Sequence, residues 1–188
     1  MFESEVARFR ELAPAVDYCS LRLVDETVDT LTVRKNILQP VQAWSSRGGM
    51  ITVHHRGGTG YAATPDLSSA GIERAISRAK DWAAQTSGVA LFDFSAVEMP
   101  HPQGGYRTPV QEGWESNSLE DKISRLQAIS ETMPVDPRIV DWHVSLMNTR
   151  FESCTVTSGG GEVRQRGRAL RALVERFDIE PFPDFSAK

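Results

Sequence analysis

The stretch from Val16 to Ala84 constrains the fold most, because short apolar–polar alternations broken by glycines give way there to helical spacing. Cys19, Leu21 and Leu23 alternate with polar residues, which is the period of a half-buried strand. Further short strands are predicted at residues 31–33, 41–45, 51–55 and 60–63. Because short turns connect these strands, we predict an antiparallel meander.

Two turns set the register of this meander. Lys35-Asn36 predicts one turn, and Gly57-Gly58 predicts a hairpin, because glycine adopts positive φ without steric cost. Gly57-Gly58-Thr59-Gly60 superficially resembles a phosphate loop. However, it lacks the lysine of such a loop and does not open a helix, so the hairpin is favoured.

Helical spacing appears at three places. The first is a short helix near the N-terminus, which Pro14 ends. A longer helix follows a cap at Ser68 or Ser69, and a third begins at Ser118-x-x-Asp121, a capping box with Asp in place of Glu. Their apolar faces comprise Phe2, Val6, Phe9 and Ala13; Ile72, Ala75, Ile76, Ala79 and Ala83; and Leu119, Ile123, Leu126, Ile129 and Met133. We predict an α+β fold, an antiparallel β-sheet (a meander plus a later strand pair) with the two main helices packed on one face.

The second half of the chain is less regular. Repeated proline and glycine predict a long loop over 89–117. A strand pair is predicted between residues 138 and 158, before a flexible break at 159–161. Apolar spacing then predicts a short arginine-rich helix over 163–177, with an extended end at Pro181 and Pro183. We therefore divide the chain into a domain at 1–161 and a tail at 162–188.

Composition excludes several classes of protein. The 188 residues carry a net charge of −4, which argues against a nucleic-acid partner. No apolar run reaches the ~20 residues of a membrane span, and the acidic N-terminus is unlike a signal peptide. We expect a cytoplasmic protein without a membrane partner. The two cysteines, Cys19 and Cys154, lie in strand patterns and are interpreted as reduced core residues, with a reactive thiol as the minor alternative.

The histidines form no recognisable metal site. His54 and His55 are adjacent in a strand and point to opposite faces, so they are interpreted as one inward and one outward residue. His101 and His143 stand alone. No histidine is followed by glutamate, so the helical two-histidine zinc motif of metallopeptidases is absent from this chain.

Other polar motifs are equally unspecific. The five arginines at 164, 166, 168, 171 and 176 could bind nucleic acid, although a solvated helix face is favoured. Ser116-Asn117-Ser118 and the run Thr155–Ser158 lack a histidine at a spacing that would indicate an activated nucleophile. We assign no catalytic, cofactor-binding or metal-binding residue in this chain.

One set of residues occurs along the chain in a characteristic order: Asp17-Tyr18, Arg22, Val33-Arg34-Lys35-Asn36, the run 47–53, the run 57–63, Asp66-Leu67, and the run 75–79. In this order they resemble the N-terminal domain of the TldD/PmbA family, described as zinc metallopeptidases and modulators of DNA gyrase. The resemblance covers about residues 3–161.

This resemblance implies a domain of a longer peptidase whose HExxxH zinc site lies in a C-terminal domain, beyond any residue of this chain. It also implies β-structure after Gly161, where apolar spacing predicts helix. In the family the substrate is a peptide or an unfolded protein, and some subunits without the metal motif pair with a catalytic one. We therefore expect no zinc in this chain, and a homo- or hetero-oligomer with TldD/PmbA-type subunits. The alternative is a free-standing protein- or peptide-binding module that pairs with a catalytic homologue.

Overall fold

The protein is described here by a computed structural model that covers residues 2–89, 91–92, 94 and 97–178. Its contacts separate two compact units. The first comprises the chain up to Glu26, Ser45–Thr108 and Arg150–Gly167. The second comprises Thr27–Trp44, Pro109–Thr149 and the chain from Arg168.

Seven strands form one sheet among the described residues, in the order β4-β3-β1-β6-β7-β5, with β2 beside β1. β3 and β4 are antiparallel, as are β1 and β2, whereas β5 runs parallel to β7. The described residues also form three α-helices, so the predicted α+β fold is confirmed. The elements are α1 (Glu3–Leu12), β1 (Tyr18–Arg34), β2 (Ile37–Leu38), β3 (Gln42–His55), β4 (Gly58–Thr64), α2 (Ser69–Thr86), β5 (Gln103–Arg107), α3 (Leu119–Glu131), β6 (Ile139–Thr157) and β7 (Glu162–Asp178).

Both predicted caps are confirmed. The Ser68 hydroxyl accepts a hydrogen bond from the Gly71 N–H at 3.1 Å and begins α2. At α3, the Ser118 hydroxyl accepts from the Asp121 N–H at 3.0 Å, and the Asp121 carboxylate accepts from the Ser118 N–H. Each cap satisfies a donor that the first helical turn leaves without an intrahelical partner.

Helix α2 packs very closely on β4 in the first unit. A β-carbon at Gly58 would lie 1.9 Å from the Ala83 carbonyl oxygen, and one at Gly60 would lie 2.1 Å from that of Ala79. These glycines therefore allow the helix backbone to approach the strand. The core around this contact also takes in Phe9, Leu21, Leu23, Ile51, Val53, Ile72 and Val156.

A separate core fills the second unit, where Leu31, Val33, Trp142 and Val144 of the sheet meet Leu126 of α3 and Met133. A polar network lies inside it. The fully buried Ser130 hydroxyl donates to the Asn36 side-chain oxygen at 2.8 Å and accepts from the Trp142 indole N–H at 3.1 Å. This network ties α3 to the turn between β1 and β2.

Two pairs of predicted strands are joined into long strands. Residues 19–23 and 31–33 both lie in β1, because the residues between them include no glycine or proline that would end it. β3 likewise runs through Gly48-Gly49. A β-carbon at Gly49 would lie 3.0 Å from the Leu21 Cδ1 atom, so this glycine maintains close packing rather than forming a turn.

The turns agree with prediction in place and differ in detail. Lys35 and Asn36 have φ of 49° and 64°, which confirms the predicted turn. In the β3–β4 hairpin the two positive-φ residues are Arg56 and Gly57, and Gly58 already pairs with His55.

The predicted tail helix over 163–177 is wrong, because these residues form β7. Helical apolar spacing there is overridden by backbone pairing with β6 and, at its start, with β5. The β-structure that the family resemblance implied after Gly161 is what forms. Residues 159–161 make the β6–β7 connection, where Gly160 has φ of 90°. The predicted loop over 89–117 includes β5 and a 3-10 helix at Trp114–Ser116. Pro181 and Pro183 lie outside the described residues, and the division at residue 161 stays a prediction.

Candidate functional site

A cavity of about 280 Å³ lies in the first unit, at the beginning of β1. It combines aromatic rings with two carboxylates, although its residues come from distant parts of the sequence. The lining residues are Asp17, Tyr18, His54, Phe94, Val97, Glu98, Met99 and His101.

His54 forms one wall of this cavity. It is paired with Thr59 across the β3–β4 hairpin, and its Nδ1 atom lies 2.8 Å from the Thr59 hydroxyl. Its ring centroid lies 5.5 Å from that of Tyr18 and 4.5 Å from that of Phe94. Burial lowers the pKa of His54, against a smaller opposing effect of the Asp17 carboxylate. The lowered pKa favours a neutral imidazole at physiological pH.

His101 also contacts Tyr18, with ring centroids 6.0 Å apart and an angle of 25° between the planes. Its Nδ1 atom is 2.8 Å from the Thr157 hydroxyl. A β-carbon at Gly159 would lie 2.2 Å from this ring, so the glycine-rich connection makes room for the imidazole. Each histidine therefore lies within hydrogen-bond distance of a threonine hydroxyl, and both rings lie near the Tyr18 ring.

Asp17 holds the edge of the cavity. Its Oδ2 atom accepts a hydrogen bond from the Arg56 N–H at 2.7 Å, which ties it to the strained hairpin turn. Its Oδ1 atom lies 3.6 Å from the His55 Nδ1 atom, too far for a direct hydrogen bond. His54 is buried and His55 is half-buried. The interpretation of one inward and one outward residue stays a prediction.

This arrangement suits binding through aromatic faces and hydrogen bonds. The Asp17 and Glu98 carboxylates accept hydrogen bonds, and the rings offer faces for apolar or cationic groups. A zinc site needs three or four converging His, Cys or carboxylate ligands. Within 2–89, 91–92, 94 and 97–178, no group of three His, Cys, Asp or Glu side chains could hold a metal ion.

Both cysteines are buried in the first unit, in agreement with their interpretation as core residues. Burial raises the pKa of the Cys19 thiol to about 12 and also raises that of Cys154. Neither thiol is therefore suited to act as a nucleophile at neutral pH.

The arginines of the C-terminal segment lie on a strand instead of a helix, and three of them contact carboxylates. Arg164 bonds Glu162 at 2.7 Å and Glu3 at 3.0 Å. Arg166 bonds Glu152, and Arg168 bonds Glu115 at 3.1 Å. These ion pairs reduce the positive field that a nucleic-acid interface requires.

Sequence reasoning identified the histidines singly and missed their grouping. Tyr18 was identified only as part of the family resemblance. His101 falls in the predicted loop over 89–117, where no periodic pattern indicates which residues it contacts. His143 lies elsewhere, with its Nε2 atom 3.1 Å from the Glu175 carboxylate. No local signal could have found the cavity, since 47 positions separate His101 from His54.

Residues 19–83 match the family model described as PmbA/TldA metallopeptidase domain 1. The resemblance to the TldD/PmbA family is confirmed. The matched segment runs from β1 to α2 and includes His54 of the cavity. No curated protein matches the chain by sequence.

Solved structures share the fold over nearly the whole chain. A proposed modulator of DNA gyrase from Bacteroides thetaiotaomicron has a TM-score of 0.68 and 16% identity, covering 95% of this chain and 42% of that one. Another from Thermotoga maritima has a TM-score of 0.67 and 18% identity, with coverages of 96% and 41%. TldE from Thermococcus kodakarensis has a TM-score of 0.63 and 16% identity, with coverages of 95% and 39%.

At these identities the likeness shows a shared fold. The chain spans about two fifths of the length of the solved structures that it matches. Among the helices in the described ranges, none is both long and apolar enough to cross a membrane.

Proposed function

We propose that this chain acts as a non-catalytic, domain-1 component of a TldD/PmbA-type assembly. In that role it contacts neighbouring subunits and helps to enclose a peptide path, while zinc-dependent hydrolysis takes place on other residues of the assembly. The match of residues 19–83 to domain 1 carries this proposal. The substrate is a peptide or an unfolded protein, and the compartment is the cytoplasm.

A peptidase assay tests the non-catalytic part of this proposal. The purified chain is incubated with peptides and with an unfolded protein, with added zinc and then with a chelator. A longer homologue that carries HExxxH serves as the positive control. We expect hydrolysis from the homologue alone. Zinc-dependent, chelator-sensitive hydrolysis by the purified 188-residue chain would contradict the proposal.

Co-purification tests the assembly part. The chain is co-expressed with the HExxxH-bearing homologue, and only one of the two proteins carries an affinity tag. We expect both to elute together at a fixed ratio. Failure of the two to associate at low and at high salt would count against the assembly role.

A second candidate function is a free-standing peptide-binding module, and the cavity beside Tyr18 favours it. Its rings and carboxylates can accept backbone donors and apolar side chains of an extended peptide. Binding of a fluorescent, reduced and carboxymethylated protein can be measured by anisotropy for two tyrosine variants. Tyr18→Ala removes a cavity wall, whereas Tyr61→Ala removes an exposed ring on β4. Equal affinities of the two variants would contradict this function.

A further inference from the structure

The outer edge of β7 is paired along only part of its length. β5 pairs with Glu162 to Arg166, and the Thr108 N–H donates to the Arg166 carbonyl at 3.0 Å. From Arg168 onward, no strand among the described residues pairs with this side of β7. The free edge, residues 168–178, is therefore long enough to pair with another strand.

The direction of its backbone groups can be worked out from the paired part. The Glu162 N–H and the Arg166 carbonyl both form hydrogen bonds on the side of β7 that faces β5. The backbone N–H and carbonyl groups of even-numbered residues therefore point toward this outer edge. Three contacts between β6 and β7 keep one register along the strand: Thr157 with Gly161, Ser153 with Gln165 and His143 with Glu175. Because these three contacts share one register, residues 168, 170, 172, 174 and 176 present their backbone N–H and carbonyl groups outward.

Four side chains of the free edge are large, apolar and exposed. Leu170 is 66% exposed and Leu173 is 42% exposed. Val174 and Phe177 are each about half exposed. Two opposite charges flank the middle of the segment, since Arg171 and Glu175 each lie two residues from Leu173 on the same strand face.

We propose that the free edge of β7 pairs with the same edge of a second copy of this chain, antiparallel, about a two-fold axis at Leu173. This register places Ala172 opposite Val174 and Leu170 opposite Arg176, so that outward backbone groups meet outward backbone groups. It also places Arg171 of each copy opposite Glu175 of the other. Because the interface is two-fold symmetric, the Arg171–Glu175 pair occurs twice in it.

Neighbouring registers lack this complementarity. An axis one residue earlier places Arg171 opposite Leu173, and an axis one residue later places Glu175 opposite Leu173. Both alternatives keep outward groups facing each other, so charge is what selects the axis at Leu173. Glu175 also lies within 3.1 Å of His143, which holds the carboxylate near the strand.

The pairing is expected to be reversible. One pair of strand edges buries less than the ~1,000 Å² typical of stable interfaces, so the dimer should form with rising concentration. The inference deepens the proposed assembly role and rests on it, because it names a surface through which subunits associate.

Charge reversal tests the register. Sedimentation velocity over a concentration series gives the dimer dissociation constant for the full chain and its variants. Arg171→Glu places two glutamates opposite each other in both pairs, as Glu175→Arg does with arginines. Each should raise the dissociation constant by about tenfold or more, because both cross-strand pairs change from attraction to repulsion.

Mixing the two single variants gives the sharpest outcome. A chain with Arg171→Glu and a chain with Glu175→Arg complement each other at both pairs, so they should form a mixed dimer while each alone stays monomeric. Native mass spectrometry distinguishes the mixed dimer by mass. The double variant R171E/E175R should dimerise with itself. Arg176→Glu is the matched control, because it makes the same charge change opposite Leu170 and should have little effect.

A proline variant tests the backbone pairing. Val174→Pro removes an outward N–H, which edge strands tolerate, and should abolish dimerisation while circular dichroism stays unchanged. A wild-type chain that is monomeric at its highest soluble concentration would overturn the proposal. Equal dimerisation of wild type and Arg171→Glu, or no mixed dimer where wild type dimerises, would also overturn it. If the chain binds the longer homologue but not itself, the edge proposal fails and the proposed function stands.

Discussion

Gly60 should be among the least replaceable residues of the chain. An alanine β-carbon there would lie 2.1 Å from the Ala79 oxygen, 2.6 Å from the Ala83 nitrogen and 2.7 Å from the Trp82 Cβ atom. Two of these are backbone atoms of α2, so no rotamer change relieves the overlap. Ordinary contact begins at 3.4 Å, and the helix would therefore have to retreat locally by roughly 1.3 Å.

The cost follows from what this retreat separates. Ile72, Ala79 and Ala83 are fully buried, and moving the helix loosens their packing on the sheet. Overpacking of this kind costs ~1–3 kcal/mol, partly offset by the ~0.4–1 kcal/mol that Gly→Ala contributes through the unfolded chain. We expect Gly60→Ala to lower the free energy of unfolding by about 2 kcal/mol, and the Tm by about 4–8 °C for a chain of this size.

Urea denaturation followed by far-UV circular dichroism measures this change. Gly105→Ala is the matched control, because its β-carbon would meet only the Arg164 oxygen at 3.5 Å, an ordinary contact. The double variant A79G/G60A should remain destabilised, since the obstruction at position 79 is a backbone oxygen. A midpoint for Gly60→Ala equal to that of wild type would refute the close packing of α2 on β4.

Three further predictions concern buried polar groups. Ser130→Ala should cost about 1–3 kcal/mol of unfolding free energy in urea melts, because the buried Trp142 indole N–H loses its acceptor; a change like that of exposed Ser124→Ala would contradict this. Cys19, with its pKa raised to about 12, should resist a thiol reagent in the native state and react after denaturation, and rapid native labelling would refute its burial. Burial lowers the pKa of His54 in the folded state, so the unfolded state binds more protons at this residue. The free energy of unfolding therefore decreases as the pH falls below ~6.5, the ordinary pKa of histidine. His54→Gln should make the unfolding free energy less dependent on pH below about 6.5, and an unchanged slope there would count against this interpretation.

Local patterns predicted the elements whose chemistry is local. Ser68 and Ser118 cap their helices as their sequence context indicates, because a capping hydroxyl needs only the N–H three residues on. The turn at Lys35-Asn36 and the hairpin near Gly57 were also predictable from residue type. The family resemblance depended on the order of these features and is supported by the match of residues 19–83.

Apolar spacing failed at the C-terminal segment. Leu170, Leu173, Val174 and Phe177 repeat at helical intervals, yet they lie on β7. Spacing records which side chains are apolar, whereas the choice of strand depends on a neighbour that offers backbone partners. β6 supplies that neighbour. The apolar spacing within residues 163–177 carries no information about it.

The sequence by itself determined the fold class, the helix caps, the tight turns and the likeness to a peptidase family, because each depends on residues close together in the chain. Only the tertiary structure decided that Gly58 and Gly60 allow α2 to pack closely on β4, that His54 and His101 both contact Tyr18, and that no strand of the described residues pairs with the outer edge of β7 beyond Arg168. Each of these depends on atoms brought together from distant positions. Such distances are set by packing and strand register, which no local pattern encodes.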